Sequence, residues 1–201
     1  AMAQAIGMSG AQPEDGFLAV TQLYIAIIAM GYAVQAVGNL RGEETAGRLE
    51  PRLSGTLSRM RWLAAHGFVI GTGLVVIVVV SSVVLAAATA WSTGTAVQLG
   101  RVLGSGAAYL PAEFLVGGLA LALFGLNPRA FPAGWAAFAV VAFIAFLGPG
   151  LKLAGWVLDL SPTTHVGNPP LGPVEARPLV VIGAIAATLW VGAAAGFRHR
   201  G

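Results

Sequence analysis

The chain has no cysteine, a single lysine (Lys152), and only eleven Lys/Arg and eight Asp/Glu across 201 residues. Without cysteine there can be no disulfide, thiolate metal site or cysteine nucleophile, and the redox compartment stays open. Lys152 follows Leu151 rather than Gly, so the G-x-x-x-x-G-K-[ST] phosphate loop is missing and ATP hydrolysis by that machinery is excluded. Residues 1–16 hold no Lys or Arg, and so lack the basic start of a secretory signal. Three histidines, His66, His165 and His199, lie on different segments with no carboxylate placed to complete a metal site. No Ser-His-Asp or paired-carboxylate arrangement can be assembled. Charged residues make up 9% of the chain where a soluble domain carries about 25%, too few to coat a water-facing surface.

What is present is apolar: 57% hydrophobic residues and a mean hydropathy of +0.81. A transmembrane helix needs about 20 such residues to cross ~30 Å of hydrocarbon. Five segments qualify: Phe17 to Gly38, Phe68 to Ala90, Gly106 to Leu126, Ala133 to Leu151 and Leu179 to Phe197. The second, VVIVVVSSVVL at its centre, is β-branched but far too long for a strand. The alternating ten-residue segments of a membrane barrel are missing. The expected fold is all-α, a polytopic transmembrane helical bundle forming one domain over residues 1–201. The abundant Gly and Ala let helices approach closely.

Eight of the 19 formal charges fall between Leu40 and His66: Arg41, Glu43, Glu44, Arg48, Glu50, Arg52, Arg59 and Arg61. If this loop (40–67) is cytoplasmic, its side also carries Arg129, Arg198 and Arg200, against Arg101, Lys152 and Arg177 opposite. That bias places the N-terminus outside and the C-terminus inside. The pI near 10.0 reflects this orientation signal rather than nucleic-acid binding. An outside N-terminus and an odd number of spans suggest a preceding span and a larger permease. The extracytoplasmic segment 152–178 includes Leu153 to Leu160, a candidate interfacial helix anchored by Trp156, before Pro and Gly break it.

Within the charged loop, Leu49, Leu53, Leu57 and Met60 form one helical stripe flanked by Arg48, Arg52 and Arg59. It suits a helix lying on the membrane surface or docking on a protein. Glu113 is the one acid inside a span. Burying it costs about 2.5–3.5 kcal/mol on insertion scales, so it should face a cavity or partner, as a substrate-cation or proton site or as a hydrogen-bonded packing residue. Pro111 beside it should kink the helix. Gln22 and Gln35 suit interhelical hydrogen bonds, and Ser81 and Ser82 suit bonds back to their own helix. Gly192-x-x-x-Gly196 fits a close crossing.

The pattern Glu44-x-x-Gly47-x-x-Glu50-x-x-Leu53, followed by Leu57-Ser58-Arg59, resembles the loop after the second transmembrane helix in permeases of type-2 ABC exporters. The fuller GEETAGRLEPRLSGTLSRMRWLAAH, with QLGRVLG, LPAEFLVGGLALALFGLNPR, WVLDLSPTTHV and GFRHR in order, is similar to the polyketide-antibiotic exporter branch. The resemblance implies the last five of six helices in the C-terminal half of an inner-membrane permease for antibiotic and multidrug efflux. It implies a coupling helix over Gly47–Arg61, docking through Glu44, Gly47, Arg48, Leu49, Glu50, Leu53, Leu57, Ser58 and Arg59 on a separate ABC ATPase, itself a dimer, that carries ATP and magnesium. Other expected partners are a second permease half, the lipid bilayer and a small amphipathic substrate, with no nucleic acid. Glu113, Gln22 and Gln35 are candidates for the substrate pathway. Two rivals stay open: a small membrane enzyme with Glu113, Asp159 and His165 as its polar centre, and a non-catalytic assembly subunit.

Overall fold

The computed structural model describes residues 14–45, 59–94 and 99–199. Among these, every regular element is helical: α1 (Asp15–Thr45), α2 (Arg59–Thr93), α3 (Leu99–Ala107), α4 (Leu110–Leu126), α5 (Pro132–Leu151), a single turn α6 (Gly155–Leu158) and α7 (Ala176–His199), with 3-10 turns at Pro128–Ala130 and Pro162–Val166. Five helical stretches are long and apolar enough to cross a membrane, α3 and α4 joining into one of them. The chain is a multi-pass helical membrane protein.

The helices outrun the apolar segments that define them. At 1.5 Å per residue, the 31 residues of α1 and 35 of α2 reach roughly 45 to 50 Å, well beyond the ~30 Å hydrocarbon layer. The excess carries charge: Arg41, Glu43 and Glu44 ride the end of α1, and Arg59 and Arg61 the start of α2. The loop between these helices is accordingly shorter than the expected 40–67. Of the expected stripe, only Met60 is among the described residues. It sits in the first turns of α2 beside a small cavity shared with Leu63, Leu121 and Ala194.

Punctuation follows local chemistry. Pro111 occupies the first turn of α4, where its missing N–H costs least. At the other end, Asn127 turns extended ahead of Pro128, and its side-chain oxygen accepts from the Arg129 N–H at 3.0 Å to cap the following turn.

α4 is the centre of the bundle, packed chiefly on α7 and α1. Small residues make this possible. A Cβ on Gly125 would lie 2.5 Å from the Ala193 carbonyl oxygen, one on Gly118 2.7 Å from the Trp190 ring, and one on Gly196 2.7 Å from Leu126. Gly192 faces open space, so the expected Gly192/Gly196 crossing uses only its second glycine, set against Gly125 and Leu126 of α4. Trp190 fastens the pair by donating its indole N–H to the Phe114 carbonyl at 2.9 Å. The main core runs from Ile27 through Val37 on α1 to Trp62 and Leu74 on α2, Val116 and Phe124 on α4 and Phe197 on α7. At the charged end of the bundle, Trp62 stacks on Phe197 with centroids 6.0 Å apart, and the Arg41 guanidinium lies 5.8 Å over the Phe131 ring.

The opposite end is closed by the segment after α6. Ser161, Pro162, Thr163 and Val166 are buried, with the Ser161 and Thr163 hydroxyls bonded at 2.8 Å. Val166 packs against Ala26, Ala108 and Tyr109. Gly167 ends this turn with φ +82°, a conformation that suits glycine. Trp156 in α6 is exposed, as an interfacial anchor would be.

Candidate functional site

Polar groups buried in an apolar bundle need partners, and the half of this one opposite the charged end holds several. Asp15, at the start of α1 and 1% exposed, forms an ion pair with Arg101 of α3. About two turns along the same face, the Gln22 amide donates to the Val102 carbonyl of α3 at 3.0 Å and to the Ser82 hydroxyl of α2 at 3.4 Å. Gly106 leaves room for this junction, since a Cβ there would sit 2.8 Å from Ser82 Oγ. Gln22 therefore ties three helices together, as an interhelical amide should. Ser82 receives this bond, while only Ser81 bonds back to its own helix, to Val78 at 3.2 Å.

Tyr109, just before the first turn of α4, and Glu113 within it come next. Both are buried, at 0% and 1% exposure, and Glu113 Oε2 and Tyr109 Oη each have no hydrogen-bond partner. They sit one turn apart and thus share a helix face. Around the helix from them, Ala107, Leu110, Pro111 and Phe114 line an apolar cavity of about 530 Å³ with Gly183 and Trp190 of α7. A second cavity, about 440 Å³, continues past Phe114 and Trp190 to Gly67, Phe68 and Gly71 of α2. Together they form a cleft between α2 and α7 floored by α4.

Gln35 departs from expectation. It is exposed, and its amide donates to Asn39 of its own helix at 3.1 Å rather than to a neighbouring helix. Phe17, Val20, Tyr24 and Ile28 continue the same exposed stripe of α1. The His165 ring meets the Asp159 backbone carbonyl at 3.1 Å in an exposed setting, whereas Glu113 is buried within α4. Of the coupling residues, Glu44 is half-buried in the last turn of α1 and Arg59 opens α2. Gly47, Arg48, Leu49, Glu50, Leu53, Leu57 and Ser58 lie outside the described residues.

Sequence reasoning missed the Asp15–Arg101 pair and the burial of Ser161, Pro162, Thr163 and Val166. The first joins positions far apart in the chain. The second had one visible signal, hydroxyls and Pro in a segment too short to span yet too apolar at Val166 to be purely solvated.

Residues 1–198 match the family described as the C-terminal domain of the multidrug efflux system permease Rv1217c. The chain belongs to this family. Among similar proteins is the multidrug efflux system permease protein Rv1217c of Mycobacterium tuberculosis (strain ATCC 25618 / H37Rv), 36% identical over 191 residues. That likeness covers 93% of this chain and 34% of the relative, so the chain spans about a third of the relative's length. The family is named for a C-terminal domain, in keeping with the C-terminal half that the resemblance implied.

Proposed function

We propose that this chain is the C-terminal membrane-spanning part of an ABC exporter that moves amphipathic small molecules outward, driven by a separate ATPase subunit. Membership of the efflux-permease family carries the reading. The concentration of charge between Arg41 and Arg61 in an otherwise apolar chain supports it, because such a segment suits contact with a water-soluble partner. The stretch from Gly47 to Arg61 would dock on the ATPase, with Leu49, Leu53 and Leu57 as apolar anchors, and Glu44, Glu50, Arg48 and Arg59 as flanking charges. ATP and magnesium would bind the partner, a dimer. The membrane is the inner (plasma) membrane, with α1 starting outside and α7 ending in the cytoplasm, as the Lys/Arg bias favours.

A second permease half would complete the transporter. The exposed stripe of α1 supports this, since the Gln35–Asn39 pair gains more from a facing helix than from lipid. Glu113 and Gln22 lie along the substrate pathway in this reading, and Gln35 would face the other half. Closure of the ATPase around ATP would rock the bundle, with the helix break at Tyr109 to Pro111 as the place to bend.

The test is purification of the full permease from membranes of its own cell. The expected result is a P-loop ATPase in stoichiometric amount, whose hydrolysis rises when an exported amphiphile is added. A membrane enzyme or an assembly subunit would purify without one.

A further inference from the structure

We infer that Glu113 and the apolar cleft beside it form a recognition point for organic cations, the carboxyl taking the positive charge and the cleft the hydrophobic body. The inference rests on the export reading and narrows its substrate class.

Three observations on different groups converge. Glu113 is 1% exposed and its Oε2 has no hydrogen-bond partner. An acid held at this depth is costly, and a carboxylate oxygen with no donor is a site waiting for one. Tyr109, a turn earlier on the same face, adds a second buried oxygen without a partner. The cavity of about 530 Å³ begins at Leu110. Leu110 and Glu113 are three residues apart, so they lie about 60° from each other around the helix. A change of rotamer or a small roll of α4 brings the carboxyl to the cleft edge. Pro111 favours such a roll, because it returns no N–H to the Ala107 carbonyl. Phe114 and Trp190, with centroids 5.7 Å apart, form the cleft floor, and aromatic faces attract cations. An apolar trough with an acid one helix position from its edge suits a ligand that is apolar over most of its surface and positive at one point. A neutral lipid tail would fill the trough and leave Glu113 Oε2 unpaired, and an anion would be repelled.

The probe is tetraphenylphosphonium, a hydrophobic cation, with equilibrium dialysis against the purified full transporter. Saturable binding is expected, weakened at least about tenfold by Glu113→Gln and largely retained by Glu113→Asp. A second measurement needs no variant. Dicyclohexylcarbodiimide modifies carboxyls in apolar surroundings, and tetraphenylphosphonium should slow its reaction at Glu113 of the wild-type protein, read by mass spectrometry. If Glu113→Gln fails to fold, this protection decides alone. No saturable binding, wild-type affinity in a folded Glu113→Gln variant, or unprotected Glu113 would each overturn the inference. Export is assayed separately, with the wild-type transporter and a neutral dye. No saturable cation binding by the wild-type transporter, with neutral export intact, rejects the recognition point only. Cation binding without any export rejects the transporter reading and leaves the site.

Discussion

Asp15 and Arg101 show how much a single contact carries at the end of the bundle where α1 begins. Asp15 is buried and Arg101 lies at the edge of the bundle, so removing either leaves a charge without its partner. Breaking a buried pair typically costs about 3–5 kcal/mol, and partial exposure of Arg101 puts this one at the low end of that range. Asp15→Ala and Arg101→Ala should each lower the Tm of the detergent-solubilised protein, and the double variant should melt close to the single ones. Additive losses would mean that the two act independently. Of the polar residues, Glu113 was legible in the sequence because an acid within an apolar run must be sheltered. Its environment was not, since the faces of α1 and α7 that enclose α4 come from distant segments. Gln22 was read correctly as interhelical and Gln35 was not. Each is an amide in the same span, and only the packing of α2 and α3 onto the Gln22 face separates them.

At the scale of elements, the five spans were legible because each is an apolar run of membrane length. Their ends were not. Hydropathy stops near Gly38 and resumes near Phe68, but Arg, Glu and Leu are good helix formers, so α1 and α2 continue into the charged flanks. α3 was hidden for a different reason. LGRVLGSGA is short and rich in Gly and Ser, and it is held by Val102 against Leu18, Leu85 and Ala86 rather than by propensity. The crossing of α4 and α7 yields a sharp contrast. Gly125→Val places methyl groups where the Ala193 carbonyl sits and should cost about 1–3 kcal/mol by overpacking, whereas Gly192→Ala meets nothing within 4 Å and should leave the Tm unchanged. Equal effects of the two on thermal unfolding would contradict the packing described. Orientation can be tested in the same cysteine-free chain. Thr56→Cys should resist an impermeant thiol reagent added outside intact cells, and Thr164→Cys should react.

For the whole molecule, the sequence pointed to the family through the order of several motifs rather than through any one residue, and the family match spans the same length. The coupling segment is legible as pattern only, since Leu49, Leu53 and Leu57 lie outside the described residues. If Leu53 and Leu57 are buried in a cleft of the ATPase, Leu53→Asp and Leu57→Asp put charge into that cleft. They should weaken ATPase association more than Arg52→Ala does, since only a few buried anchors at an interface cost more than about 1 kcal/mol. Full retention of the ATPase by both Asp variants would favour a helix resting on lipid. The most direct measurement is uptake of a fluorescent amphiphile into inside-out vesicles holding the full permease, with and without its ATPase. Uptake that requires the ATPase, ATP and magnesium together is the predicted result. Equal uptake without the ATPase, or none with all three present, would contradict the account.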